Sequence, residues 1–231
     1  MESHNKTGTM IGVGIVGLLL GGLGGWWIAA MNNTHDMDME ASTSVSENRP
    51  NSATKAADLR ATLVGFGVEH MDLTYATVAA TLNASKSADA DAKDLYKNGT
   101  DLGAAIGSVY GKEAESTFNS VWKLHLDEFV KYAMASSKND AAGKKAALDT
   151  IDAEYTKPLA AYLAKANPNL PEDTLYKGLK AHVDMTAEMI DEEAAGNYAV
   201  ATDLRNKGAD HLSKLFSTLA AGIVKQFPDK F

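Results

Sequence analysis

Three His-x-Asp tripeptides hold the residues of this sequence best suited to chemistry. They are His70-Met71-Asp72, His125-Leu126-Asp127 and His182-Val183-Asp184, and they recur at intervals of 55 and 57 residues. Imidazole nitrogen is a common ligand of zinc and copper, and a carboxylate that accepts the second ring N–H fixes the tautomer of a ligating histidine. The spacing therefore predicts a repeated unit, each copy of which supplies one candidate ligand.

On a helix, the histidine and the aspartate of one tripeptide do not grip the same ion, because residues i and i+2 are about 200° apart. The periodicity instead turns the histidines inward and the aspartates toward other flanks. The predicted ligands are His70, His125, His182 and His211. The predicted carboxylate partners, each accepting a ring N–H from a neighbouring repeat, are Asp72, Asp127 and Asp184. The alternative is that the histidines are neutral core residues, hydrogen-bonded to carbonyls and copied by gene duplication.

The elements that must position these side chains are helices. From residue 56 onward, apolar residues recur at steps of three and four, as buried helix stripes require, and no strand pattern competes. Breaks in the pattern predict an all-α bundle of six helices built from three helical-hairpin repeats, at about 56–110, 111–166 and 171–231. A compact bundle is favoured over a curved stack. Pro158 lies inside the fourth helix, which must kink there or restart with the proline in its first turn.

The N-terminal part predicts a membrane anchor. Residues 10–31 carry no charge and are long enough to cross a bilayer as a transmembrane helix, with 1–9 as a cytoplasmic tail. A cleaved signal peptide is the alternative. Gly17, Gly21 and Gly25 form overlapping G-x-x-x-G steps that could support a homodimer. The C-terminal domain, 56–231, is then expected outside the cytoplasm at the cell membrane, as a single-pass protein.

Residues 32–55 are polar and predict a flexible tether. Within it, His35, Met37 and Met39 alternate with acidic residues, and thioethers beside imidazole are soft donors that suit copper(I). The alternative is an acidic spacer with methionines placed by chance.

Composition excludes several functions. The chain has no cysteine, which rules out disulfides, thiolate zinc sites and covalent haem, and a net charge of −8 without a basic cluster argues against nucleic acid as a partner. There is no nucleotide-binding loop in a fitting context, no H-E-x-x-H and no G-x-S-x-G. The sequence therefore nominates no catalytic residue and no nucleotide cofactor.

The stretch from about residue 59 to 231 resembles an all-helical module of secreted bacterial proteins, many of which are labelled copper amine oxidase-like. The segments that carry the resemblance are EHMDL, AAIGSVYGKEA, LHLDEFVKYA, LAKANPNLP, KAHVDM, AGNY and IVKQFPDKF. The resemblance implies an extracytoplasmic helical domain that has His70, His125 and His182 at the recurrent positions and associates with copper. Amine oxidation is not carried over, because copper amine oxidases use a tyrosine-derived quinone in a large β-rich domain.

The sequence thus predicts a membrane-anchored extracytoplasmic helical protein that binds a transition metal, copper before zinc. The alternative is a non-catalytic structural or protein-interaction module of the cell surface, whose histidines complete the core.

Overall fold

A computed structural model describes residues 54–231, and every element in this range is helical. The predicted anchor with its glycines and the tether with His35, Met37 and Met39 lie outside the described residues. The six helices are α1 (Lys55–Leu82), α2 (Ala88–Tyr110), α3 (Lys112–Ser136), α4 (Ala141–Ile151, a π-helical turn Asp152–Thr156, and Lys157–Ala166), α5 (Glu172–Ala194) and α6 (Tyr198–Gln226). The all-α prediction is confirmed. Among the described helices, none is long and apolar enough to cross a membrane.

Short turns with identifiable chemistry separate the helices. Thr54 caps α1 by accepting a hydrogen bond from the amide of Ala57 at 3.1 Å, and Asp140 caps α4 in the same way through Gly143 at 3.0 Å. Gly111, at φ +94°, is the single residue between α2 and α3 and reverses the chain in a conformation that L side chains rarely adopt. The chain reverses direction at these turns, so consecutive helices form hairpins.

Pro158 does not stop α4. The preceding π-helical turn, Asp152–Thr156, shifts the hydrogen-bond register, and the α-helix then restarts with the proline in its first turn. There the missing amide removes no helical hydrogen bond. Of the two outcomes expected from the sequence, the structure shows the restart.

The helices form a closed ring around a central triangle. Each helix packs against its neighbours along the chain, and α6 packs against α1 to close the ring. The odd-numbered helices, α1, α3 and α5, also contact one another, so one helix of each hairpin lies inside. Residues 54–231 therefore form a closed bundle, and the residues that face the triangle come from all three hairpins.

Candidate metal centre

The three histidines of the repeats meet at the centre of this triangle. His70 on α1, His125 on α3 and His182 on α5 are each at most 1% exposed. The inward face of α1 at this level also carries Gly67 and Thr74, both buried. Polar and apolar residues share the buried side of α1, and the surrounding helices complete the burial of His70.

The donor atoms are close enough to share one ion. One ring nitrogen from each histidine lies within 4.8 Å of the other two, and the ring centroids of His125 and His182 lie 5.7 and 5.6 Å from that of His70. An ion equidistant from three nitrogens at that separation would lie about 2.8 Å from each, against roughly 2.0–2.1 Å in a zinc–imidazole bond. Small side-chain rotations close this difference, so the three buried histidines could form a metal site.

The hydrogen bonding of these rings is incomplete. Nδ1 of His70 and both ring nitrogens of His125 and His182 are buried with no hydrogen-bond partner among residues 54–231. A buried polar atom without a partner costs about 1–3 kcal/mol. Five such atoms at one point are unusual in a core, where buried polar groups are normally paired. A metal ion would satisfy one nitrogen of each ring.

Burial keeps the three imidazoles neutral. It lowers the pKa of His70 to about 4, against a smaller opposing contribution from the Asn98 side chain. It also lowers the pKa of His125 and of His182 well below the ordinary value. Repulsion from the neighbouring histidines adds to the effect, and at His125 the backbone of Trp122 makes a smaller opposing contribution. Since a histidine must be deprotonated to bind a metal, these side chains are ready ligands at neutral pH.

Aromatic rings cover one side of the cluster. The indole of Trp122 lies 4.9 Å from the His70 ring and 4.7 Å from the His125 ring, centroid to centroid. The Tyr155 ring stacks on His125 at 4.2 Å and is fully buried. Tyr155 belongs to the π-helical turn of α4, and such turns often occur at functional sites. Burial raises the pKa of Tyr155, so its phenol stays protonated.

The other side of the cluster opens into a cavity of about 40 Å³ between α1, α3 and α5. We name it the threonine cavity because four threonines line it together with the three histidines. They are Thr74, Thr77, Thr81 and Thr186. Apolar side chains complete the lining, and the cavity reaches the surface at Thr81 and at Val130, which is 44% exposed.

His211 does not join the cluster. Its Nε2 lies 2.8 Å from the carbonyl oxygen of Gly178 and donates a hydrogen bond to it, which links α6 to α5. It is near enough to His182 to disfavour a second positive charge there. The structure therefore brings together three of the four predicted ligands and gives His211 a role in helix packing.

The three aspartates do not bond to the histidines. Asp72 pairs with Arg205, Asp127 accepts from Tyr96 and Lys123, and Asp184 accepts from Lys180. The predicted carboxylate–histidine contacts are absent among the described residues. Because all three histidines point to the same centre, the offset of about 200° turns all three aspartates outward, toward outer helices and solvent.

The sequence interpretation missed the threonines, Trp122 and Tyr155 as site residues. A signal for the threonines existed, because Thr74, Thr77 and Thr81 follow His70 by 4, 7 and 11 residues and so share its helix face. No comparable signal marks Tyr155, which reaches His125 through the π-helical turn. Comparison with known protein families, curated proteins and solved structures found no match, and the geometry of the centre has to carry the functional argument.

Proposed function

We propose that this chain is a metal-binding protein that holds one transition-metal ion, copper before zinc, through His70, His125 and His182. The observation that carries the proposal is the convergence of unpaired ring nitrogens from three separate hairpins at one buried point. The rings are neutral at pH 7, and neutral imidazoles suit both metals.

Copper comes first for three reasons. Nitrogen sites generally bind Cu²⁺ more tightly than Zn²⁺, following the Irving–Williams order. The tether candidates, His35, Met37 and Met39, add soft donors of the kind that hold copper(I) on the same chain. The resemblance to the copper amine oxidase-like module points to the same metal. Zinc remains the second choice.

The setting that we propose is the outer face of a cell membrane. The uncharged residues 10–31 would act as a single-pass anchor, and the polar residues 32–55 would hold the bundle away from the bilayer. The net charge of −8 favours cations over anions near this surface.

The alternative function is a structural or interaction module at the cell surface. The observation in its favour is the close aromatic packing of the histidines, above all the stacking of Tyr155 on His125. In that case the rings contribute to the core by packing alone. The two functions differ in metal uptake, which is directly measurable.

The test is metal titration of the full chain after treatment with a chelator. We expect one tightly bound Cu²⁺ or Zn²⁺ per chain in a variant that lacks the tether donors, with His35, Met37 and Met39 each changed to alanine. In that background, His125→Leu and His182→Leu should each weaken binding by more than the roughly 10–100-fold typical of losing a supporting group.

The matched control is His211→Leu, which removes a histidine outside the cluster and should leave metal affinity unchanged. Circular dichroism confirms that each variant is folded. Metal uptake that survives His125→Leu and His182→Leu would overturn the site. A folded chain that takes up no metal at all would favour the structural module.

A further inference from the structure

The threonine cavity gives the metal centre a free side. Trp122 and Tyr155 pack against the histidines on one side, whereas the cavity touches all three histidines and leads outward to Val130. A three-histidine site with one free direction has the form of catalytic zinc centres, which keep a fourth position for an exogenous ligand. A site closed on all sides would hold only the ion.

The size of the cavity limits what that ligand is. One water molecule needs roughly 10–15 Å³ of cavity volume. The cavity of about 40 Å³ therefore accommodates the ion and a ligand of two or three atoms. Val78, Leu95, Leu126 and Phe129 form much of the remaining wall. An amine substrate or a side chain of a partner protein does not fit without opening the bundle.

The charge of the site favours an anion. Three neutral imidazoles leave the full double charge of a Cu²⁺ or Zn²⁺ ion uncompensated. Among the described residues that line the cavity there is no carboxylate, and there is no lysine or arginine. Because a buried charge is strongly unfavourable unless it is paired, an anionic ligand is bound more tightly here than a neutral one.

One free hydroxyl lines the outer part of the cavity, seven residues and about 10 Å of helix rise beyond His70. Thr77 is 7% exposed, lines the cavity, and its Oγ1 has no hydrogen-bond partner among residues 54–231. Thr74 differs, because its Oγ1 donates to the carbonyl oxygen of His70 at 2.7 Å. Thr77 therefore has a free donor in the threonine cavity, whereas the proton of Thr74 is already used.

We propose that the ion held by His70, His125 and His182 keeps one coordination position open toward the threonine cavity, and that this position binds a small anion of the hydroxide, azide or cyanide class. The anion reaches this position through the cavity, past the free hydroxyl of Thr77. This inference rests on the proposed metal site and adds the class of ligand that the site accepts.

The test uses the Cu²⁺-loaded full chain with the three tether donors changed to alanine, so that the optical signal comes from the bundle. Sodium azide is added stepwise, and the azide-to-copper charge-transfer absorption is followed. We expect saturable binding of one azide per copper. Val130→Trp, which adds bulk at the exposed mouth of the cavity, should slow azide binding about 10-fold in stopped-flow mixing and leave copper affinity unchanged.

The matched control is Met134→Trp, because Met134 is exposed on the same helix and lies outside the cavity lining. It should not alter azide binding. Copper binding without any azide response would overturn the open position while the metal site stands. Azide binding that Val130→Trp does not slow would overturn the route through the threonine cavity. Failure to bind copper or zinc overturns both proposals.

Discussion

His182 buries two ring nitrogens that have no hydrogen-bond partner among residues 54–231. A histidine that merely completes a core is expected to use its ring nitrogens, as His211 does with the carbonyl oxygen of Gly178. The difference between these histidines separates a ligand from a packing residue. It also has consequences for stability that can be measured without any metal.

We expect His182→Leu to leave the free energy of unfolding of the metal-free protein unchanged or to raise it by about 1 kcal/mol, because two unpaired polar atoms are removed at similar volume. His211→Leu should instead lower it by about 1 kcal/mol through loss of its hydrogen bond. Urea denaturation of chelator-treated proteins compares the two. A loss of more than about 2 kcal/mol in His182→Leu would mean that this ring is satisfied in the core.

The free energy of unfolding should also fall as the pH is lowered, and the buried histidines should determine part of that slope. An unfolded chain protonates histidine near pH 6.5, whereas burial lowers the pKa of His70 to about 4 and those of His125 and His182 well below 6.5. The unfolded state therefore binds more protons below pH 6.5. Each such histidine then lowers the free energy of unfolding by about 1.4 kcal/mol per pH unit down to its folded-state pKa.

Urea denaturation at pH 7, 6 and 5 measures this slope. The carboxylates titrate alike in the parent protein and in His182→Leu, so the difference between the two isolates one histidine. We expect a shallower pH dependence in the variant. Parallel curves would show that His182 is not held neutral by burial.

Some of the candidate metal ligands could be predicted from individual residues of the sequence. The repeat spacing identified His70, His125 and His182, because a duplicated hairpin returns the same position to the same level. Helix periodicity added His211, and the tripeptides added the aspartates; the structure places all four away from the three-histidine cluster. Helix periodicity gives the direction of a side chain but not the element that it meets, and His211 meets the carbonyl of Gly178 on α5.

At the scale of the elements, close approach of α1 to its neighbours sets the position of His70. A Cβ built on Gly67, one turn before His70, would lie 2.3 Å from the ring of Phe216 on α6. A Cβ on Gly65 meets nothing within 4 Å. The two glycines are on the same helix, yet only one of them permits the contact that closes the ring.

We expect Gly67→Ala to lower the free energy of unfolding by about 1–3 kcal/mol, because the added methyl group pushes α1 and α6 apart. Gly65→Ala should raise it by up to about 1 kcal/mol through better helix propensity. Chemical denaturation of both variants measures this. Metal affinity should drop in Gly67→Ala alone, since His70 moves with α1. Equal effects of the two substitutions would contradict the packing described for this contact.

The helices themselves were largely readable from the sequence, since apolar periodicity and breaks such as Gly111 mark them. The inward face of α1 was harder to identify, because it carries Gly67, His70, Thr74 and Thr77 rather than a continuous apolar stripe. The π-helical turn of α4 had no sequence signal beyond Pro158. Its consequence, the stacking of Tyr155 on His125, depends on tertiary packing.

For the whole bundle, the metal centre would join three hairpins that otherwise interact through packing. Each hairpin contributes one inner helix and one histidine, so an ion links residues more than 50 positions apart in the chain. Binding to the folded state alone stabilises a protein in proportion to the logarithm of ligand concentration. Closure of the ring was favoured over a curved stack by the apolar terminal hairpins, but the contact between α1 and α6 was not readable.

We expect Zn²⁺ at about 100 times its Kd to add about 2.7 kcal/mol of stability to the folded chain, which corresponds to a rise in Tm of roughly 5–10 °C. Thermal unfolding followed by circular dichroism measures this shift. The rise should vanish in His182→Leu and persist in His211→Leu. A shift of equal size in both variants would place the metal elsewhere.

The most direct test of the account is a count of the imidazoles on the bound ion. Cu²⁺ is added at one equivalent to the full chain with His35, Met37 and Met39 changed to alanine, and pulsed electron paramagnetic resonance resolves the remote nitrogens of ligating histidines. The account predicts three imidazoles per copper, falling to two in His182→Leu and remaining three in His211→Leu. A copper spectrum without imidazole nitrogens, or one that His182→Leu leaves unchanged, would contradict it.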